Sequence, residues 1–149
     1  MSDPAYTVQV VVDCRSPHEL ADWWAEVLRW QVEPQDEAFI RSMVDQGFAT
    51  EAETTTHRGH LVWATGAAIN HPDGGGAPRI LFQQVPEPKT VKNRVHLDLR
   101  AAGEASAGEL DRLLGLGATR VGEGSQGPHS WVVLTDPEEN ELCLPVPAT

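Results

Sequence analysis

Positive charge is scarce in this sequence: 11 Lys and Arg stand against 22 Asp and Glu, a formal net charge of −11. A field of that sign repels phosphate backbones and anionic headgroups, so neither nucleic acid nor a membrane surface is an expected partner. Its plainest use is solubility. Cysteine is nearly absent. Cys14 and Cys143 lie outside any CxxC or zinc-ligand spacing, which excludes a disulfide scaffold and points to a reducing cytoplasm. Long apolar runs are missing as well, since nothing approaches the roughly 18 residues of a membrane span. The opening Met-Ser-Asp-Pro has no basic stretch leading into an apolar one, so no targeting signal is expected. The glycines between His71 and Pro78 are not followed by Gly-Lys-Ser/Thr and open a strand rather than a helix, which excludes a phosphate-cradling loop.

What remains is an ordinary globular composition, 149 residues with 40% hydrophobic and 22% charged, long enough to bury a core without staples. A repeat organises it. Val8–Asp13 is a β-rich run, and Ser16-Pro17-His18-Glu19 then reads as a capping box with Pro in the first helical position. Leu20, Trp23, Trp24, Val27 and Leu28 follow at helical spacing. The second half repeats this with a strand at Val95–Leu99, a second box at Ser106–Glu109, and Leu110, Leu113 and Leu114. The helices are offset by 90 residues and the strands by 87, counted from Gln9 to His96.

Each half continues into strands. In the second they fall near Thr119–Val121, Ser130–Leu134 and Glu141–Val146, with a turn at Asp136–Asn140. In the first they fall at Leu61–Trp63, Ala67–Ile69 and Arg79–Val85. The first half also holds an extra helix from Asp36 to Gln46, stopped by Gly47. The segment carrying His57 and His60 reads as loop. The expected class is therefore α+β, two tandem βαβββ modules (6–86 and 94–147) in a single domain spanning 1–149.

Three segments resemble a known family. LADWWAEVLRW (Leu20–Trp30), KNRVHLDLR (Lys92–Arg100) and DPEENELCL (Asp136–Leu144) are similar to signatures of the glyoxalase / bleomycin-resistance / dioxygenase (vicinal oxygen chelate) superfamily. With VPEPKTVKNRVHLDLR and GSQGPHSW, the chain resembles its actinobacterial-type glyoxalase-like subgroup. The resemblance implies that each module curls a mixed sheet into a cup around a pocket and that two chains pair as a homodimer. Metal-using members take ligands from the first and last strand of each half. By position these are Gln9, Phe82, His96 and Cys143. Phe82 and Cys143 stand where glutamates are expected, and phenylalanine cannot ligate.

Two readings follow. In the first no metal is needed, and the cup holds a small apolar or aromatic molecule lined by Gln9, Trp63, Gln84, Asp98, Trp131 and Cys143. In the second Gln9, His96 and Glu141 hold a divalent ion (Zn, Ni, Mn or Fe) for a lyase, isomerase or dioxygenase reaction. His96 and Cys143 could alternatively hold a soft ion such as zinc. His96, Glu141 and His129 are the candidate acid–base groups. Each has a plainer reading: a satisfied core histidine, a paired carboxylate, a turn histidine in solvent. Glu141 lies in an otherwise apolar strand, so it is expected to be paired with Arg94 or His96 or else positioned for use. Trp63 and Trp131 either line a cavity or fill the core.

Overall fold

The computed structural model describes residues 2–101 and 107–147. Ser106, expected to cap the last helix, lies outside them. The chain divides into two compact units, residues 1–88 and 89–149. No helix among the described residues is long and apolar enough to cross a membrane.

The first unit begins with strand β1 (Val10–Cys14) and helix α1 (Pro17–Leu28). Gln9 therefore stands just before the strand. Pro17 takes the first helical turn, but the Ser16 side chain makes no capping bond. The expected box is not closed, and it is the Ser16 carbonyl that accepts from Leu20 N–H. Helix α1 buries Leu20, Ala21, Trp24 and Val27. Trp23 is only half-buried and meets Trp24 edge-on at 5.4 Å, since adjacent helical residues cannot share a face. After β2 (Gln31–Val32) comes the extra helix α2 (Glu37–Asp45), capped by the Asp36 carboxylate, which accepts from Phe39 N–H.

The segment around His57 departs from the loop expectation. It is a hairpin, β3 (Thr54–His57) and β4 (His60–Trp63), joined by Arg58-Gly59. Both turn residues have positive φ, 49° and 82°, as a type I′ turn requires. Arginine at the first turn position hides the Asn-Gly or Asp-Gly signal that would have announced it.

Strands β5 (Gly66–Asn70) and β6 (Ile80–Gln84) complete a four-stranded sheet in the order β1-β6-β5-β2. Helix α1 packs against β5 and β6. Period-2 alternation turns Ala67, Ile69, Ile80 and Phe82 toward the helix, all nearly or fully buried. Ala68, Arg79, Leu81 and Gln83 fall on the opposite, open face.

The second unit repeats the scheme: β7 (Leu97–Asp98), α3 (Ala107–Gly115), β8 (Thr119–Gln126), β9 (His129–Thr135) and β10 (Glu141–Val146), in the order β7-β10-β9-β8. Leu113, Val132, Leu134, Leu142 and Leu144 form its core. Leu114 is 39% exposed, so the helix pattern here is narrower than in the first unit. The Asp136–Asn140 turn is as expected, closed by Asp136, whose carboxylate accepts from Glu138 N–H, Asn140 N–H and the Asn140 amide.

Candidate functional site

In each unit the sheet face away from the helix is the surface available to a ligand. Register decides which residues reach it. In the first unit Val11 pairs with Leu81, Val12 with Phe82 and Asp13 with Gln83. In the second, Leu97 pairs with Leu142 and Asp98 with Cys143. Applying the 87-residue strand offset, Val11 corresponds to Asp98, so the counterpart of Cys143 is Leu81 and that of Glu141 is Arg79. The expected correspondence of Phe82 with Cys143 is thus corrected by one residue. In a strand such a shift exchanges faces. Phe82 is fully buried against the helix side.

The open face of the first unit carries a cleft of about 590 Å³ lined by Glu33, Trp63, Ala68, Arg79, Leu81 and Gln83 among others. Arg79 is fixed there. It makes a bidentate pair with Glu33 at 2.8 and 2.9 Å, and its third nitrogen donates to Gln9 Oε1 at 2.8 Å. The hydrogen bond from Arg79 is the main reason the Glu33 carboxyl titrates below its ordinary value, and Asn70 adds a second donor at 2.8 Å. Gln84 is exposed and donates to the Arg15 carbonyl. Trp63 is held at both ends of its peptide. Its N–H donates to Gln35 Oε1 at 2.8 Å, and its carbonyl accepts from His18 Nε2 at 2.7 Å. His18 in turn stacks on His57, which reaches Asp22 at 2.7 Å. Sequence reasoning missed Gln35, Arg79 and His18 as site residues, because single polar residues with no site motif around them carry no signal until a fold brings them together.

The second unit gathers different groups. Glu141 is not paired with Arg94 or His96. It accepts from Lys89 at 3.0 Å and from Asn93 N–H at 3.1 Å. Burial works against ionisation of this carboxyl, but those hydrogen bonds and the Lys89 charge outweigh it, and its pKa is lowered. A second cleft, of about 560 Å³, runs past Lys89, Lys92, Thr119, Thr135 and Glu141. His96 and Asp98 are exposed, with 3.3 Å between His96 Nε2 and Asp98 Oδ1. Cys143 is a half-buried free thiol. The ligating atoms of His96, Asp98 and Cys143 lie within 4.8 Å of one another. Burial, then the charge of Asp98 and a hydrogen bond to it, push the Cys143 thiol up. Trp131 is half-buried over Gly124, its partner on β8. His129 is exposed where β9 begins, opposite Gln126.

A divalent ion taking ligands from the first and last strands of both units does not fit these residues. At the first unit's corresponding positions Leu81 has no donor atom, Arg79 is a cation, and Gln9 is engaged by that cation. In the second unit both oxygens of Glu141 are engaged by Lys89 and Asn93.

A family model described as a glyoxalase-like domain matches residues 9–145. No curated protein matches the chain. Among solved structures, fosfomycin resistance protein FosX from Listeria monocytogenes, complexed with Mn(II) and sulfate, is similar with a TM-score of 0.62 at 7% identity, over 97% of this chain and 92% of that one. A glyoxylase/bleomycin resistance protein/dioxygenase domain from Frankia sp. EAN1pec has a TM-score of 0.53 at 15% identity, over 96% and 92%. A glyoxalase/bleomycin resistance protein/dioxygenase family enzyme from Burkholderia phytofirmans PsJN gives 0.52 at 14%, over 92% and 94%. At such identities the likeness is one of fold.

Proposed function

This chain belongs to the glyoxalase-like domain family, and on that premise we propose that it binds a small, partly aromatic molecule in the open-face cleft of its first unit, without the family's usual metal. One observation carries the reading. Where a ligating carboxylate would stand, the register puts Leu81 and the Glu33-bound Arg79, beside Trp63 and the buried Ala68. Leu81, Ala68 and Trp63 give the cleft an apolar patch within a largely polar lining, part of it fixed by hydrogen bonds, and apolar surface beside oriented polar groups suits a small-molecule site. A homodimer in a reducing cytoplasm belongs to the same reading.

The test is a titration of the untagged chain with a panel of planar aromatic compounds, followed by tryptophan fluorescence and heteronuclear NMR. Saturable binding at one site is expected, weakened at least tenfold by Trp63→Ala and by Leu81→Asp. A panel with no binder, or binding indifferent to both substitutions, overturns it.

A second reading, a metal-dependent lyase, isomerase or dioxygenase using His96, draws support from the three donors gathered around that histidine. It requires turnover that disappears in a folded His96→Ala variant.

A further inference from the structure

The first unit's cleft holds three glutamines, and the protein uses two of them. Gln35 spends both ends of its amide on backbone, accepting from Trp63 N–H at 2.8 Å and donating to the Gly66 carbonyl at 2.9 Å. Gln84 donates to the Arg15 carbonyl. Gln83 has no hydrogen-bond partner among the described residues. It stands on the open face of β6, two residues beyond Leu81, with Gly66 as its register partner on β5 and Asp13 on β1. Gly66 has no side chain to cover the carboxamide. Charge in and beside the cleft is either spent or negative. All three nitrogens of Arg79 donate within the chain, and its charge rests against Glu33 at 2.8 Å. Asp36, in the lining, and Asp13, beside Gln83, are carboxylates with no ion-pair partner among the described residues. An anionic ligand would meet that repulsion with no unspent cation in the lining to offset it.

We propose that Gln83 determines the specificity of this cleft, and that the molecule it selects is a neutral planar aromatic with a lactam or imide edge. Such an edge sets a ring N–H beside a C=O. A carboxamide presents the complement, an acceptor oxygen beside a donor NH2. Two parallel hydrogen bonds result: the ring N–H donates to Gln83 Oε1, and the ring carbonyl accepts from Gln83 Nε2. Leu81 and its β5 partner Ala68 supply apolar surface for the rest of the ring system, with Trp63 in the same cleft. Discrimination comes from the free state of the carboxamide. A ring without the edge takes Gln83 out of water and leaves it unmatched, and a site built to pair a polar edge rejects an analogue that lacks it. This preference rests on the ligand reading of the cleft and adds the chemical class that the cleft takes.

Three bicyclic probes of similar shape, titrated into the full chain, test it. Carbostyril is a quinoline lactam with the edge intact, N-methylcarbostyril has lost the N–H, and quinaldate carries a carboxylate instead. Carbostyril is expected to bind at least tenfold more tightly than either of the others. In Gln83→Leu its advantage over the N-methyl compound should fall below twofold. A measurement on the unsubstituted chain avoids any question of folding: the Gln83 side-chain amide resonances should shift on adding carbostyril, and by less than half as much with the N-methyl compound at equal saturation. Binding that Trp63→Ala weakens but that shows no lactam preference overturns this proposal and leaves the ligand reading standing. So does a preference that survives Gln83→Leu, or quinaldate as the tightest of the three. If no planar aromatic compound binds, or binding is indifferent to both Trp63→Ala and Leu81→Asp, the two fall together.

Discussion

The indole of Trp131 lies directly on Gly124, so close that a Cβ on the glycine would fall 2.6 Å from two ring carbons. The two are cross-strand partners on β8 and β9. The glycine is there for space, and the ring covers backbone that a side chain would otherwise cover. Gly124→Ala must displace Trp131, a bulky, half-buried group. A loss of about 1–3 kcal/mol is expected, read as a lower urea midpoint, together with a changed near-ultraviolet circular dichroism signal from the moved indole.

Phe82 and Leu81 are adjacent on β6 but face opposite ways, and their substitutions should separate. Phe82→Ala opens a cavity under α1 and should cost about 3–5 kcal/mol. Leu81→Ala lies on the open face and should cost under about 1 kcal/mol, while lowering affinity for a molecule in the cleft. Equal destabilisation by the two would contradict the register.

The Lys89–Glu141 pair gives stability a defined pH dependence. The folded pKa of Glu141 is lowered, so its contribution is fully present above the unfolded value, about 4.3, and is lost as pH falls through the folded value below that. Lys89→Met removes the main donor. Its effect on unfolding free energy should be largest near neutrality and shrink toward about pH 3. Urea melts of both proteins across that range check the sign.

His18 supplies the proton held by the Trp63 carbonyl. His18→Phe keeps the bulk and removes the donor, which should cost about 1–3 kcal/mol. Hydrogen exchange at the amides of Leu61 and Trp63 should quicken, while amides of β5 and β6 stay protected. Uniform quickening throughout the first unit would mean that the bond supports the whole unit instead of the hairpin.

Much of the architecture was legible because its signals are periodic. Leu20, Trp24 and Val27 at helical spacing, the Asp36 cap before α2, and the repeat offset between Gln9 and His96 all follow from hydrophobic patterning and turn chemistry, which act locally. The site was far less legible. Whether Phe82 or Leu81 faces the cleft depends on a one-residue register between β1 and β6, strands separated by some 70 positions, and no local pattern fixes it. The partners of Glu141 were misassigned for a related reason. Arg94 and His96 are near Lys89 and Asn93 in sequence, and only the path of the chain before β7 decides which of them meets the carboxylate. His96 and Cys143 were recognisable as candidates. Asp98 was legible as a neighbour of His96 on one face, but its position opposite Cys143 is a property of the parallel pairing.

The hairpin β3–β4 pairs with neither four-stranded sheet, yet the amides of its second strand at Leu61 and Trp63 are not left open: Glu37 and Gln35 accept from them at 2.8 Å each. Two side chains thereby occupy the place of a neighbouring strand. A bare strand edge is a template on which further chains can add and aggregate. Closing the β4 edge with a carboxylate and an amide removes one such template from this small ribbon, and makes that edge depend on two residues well away from the ribbon in sequence.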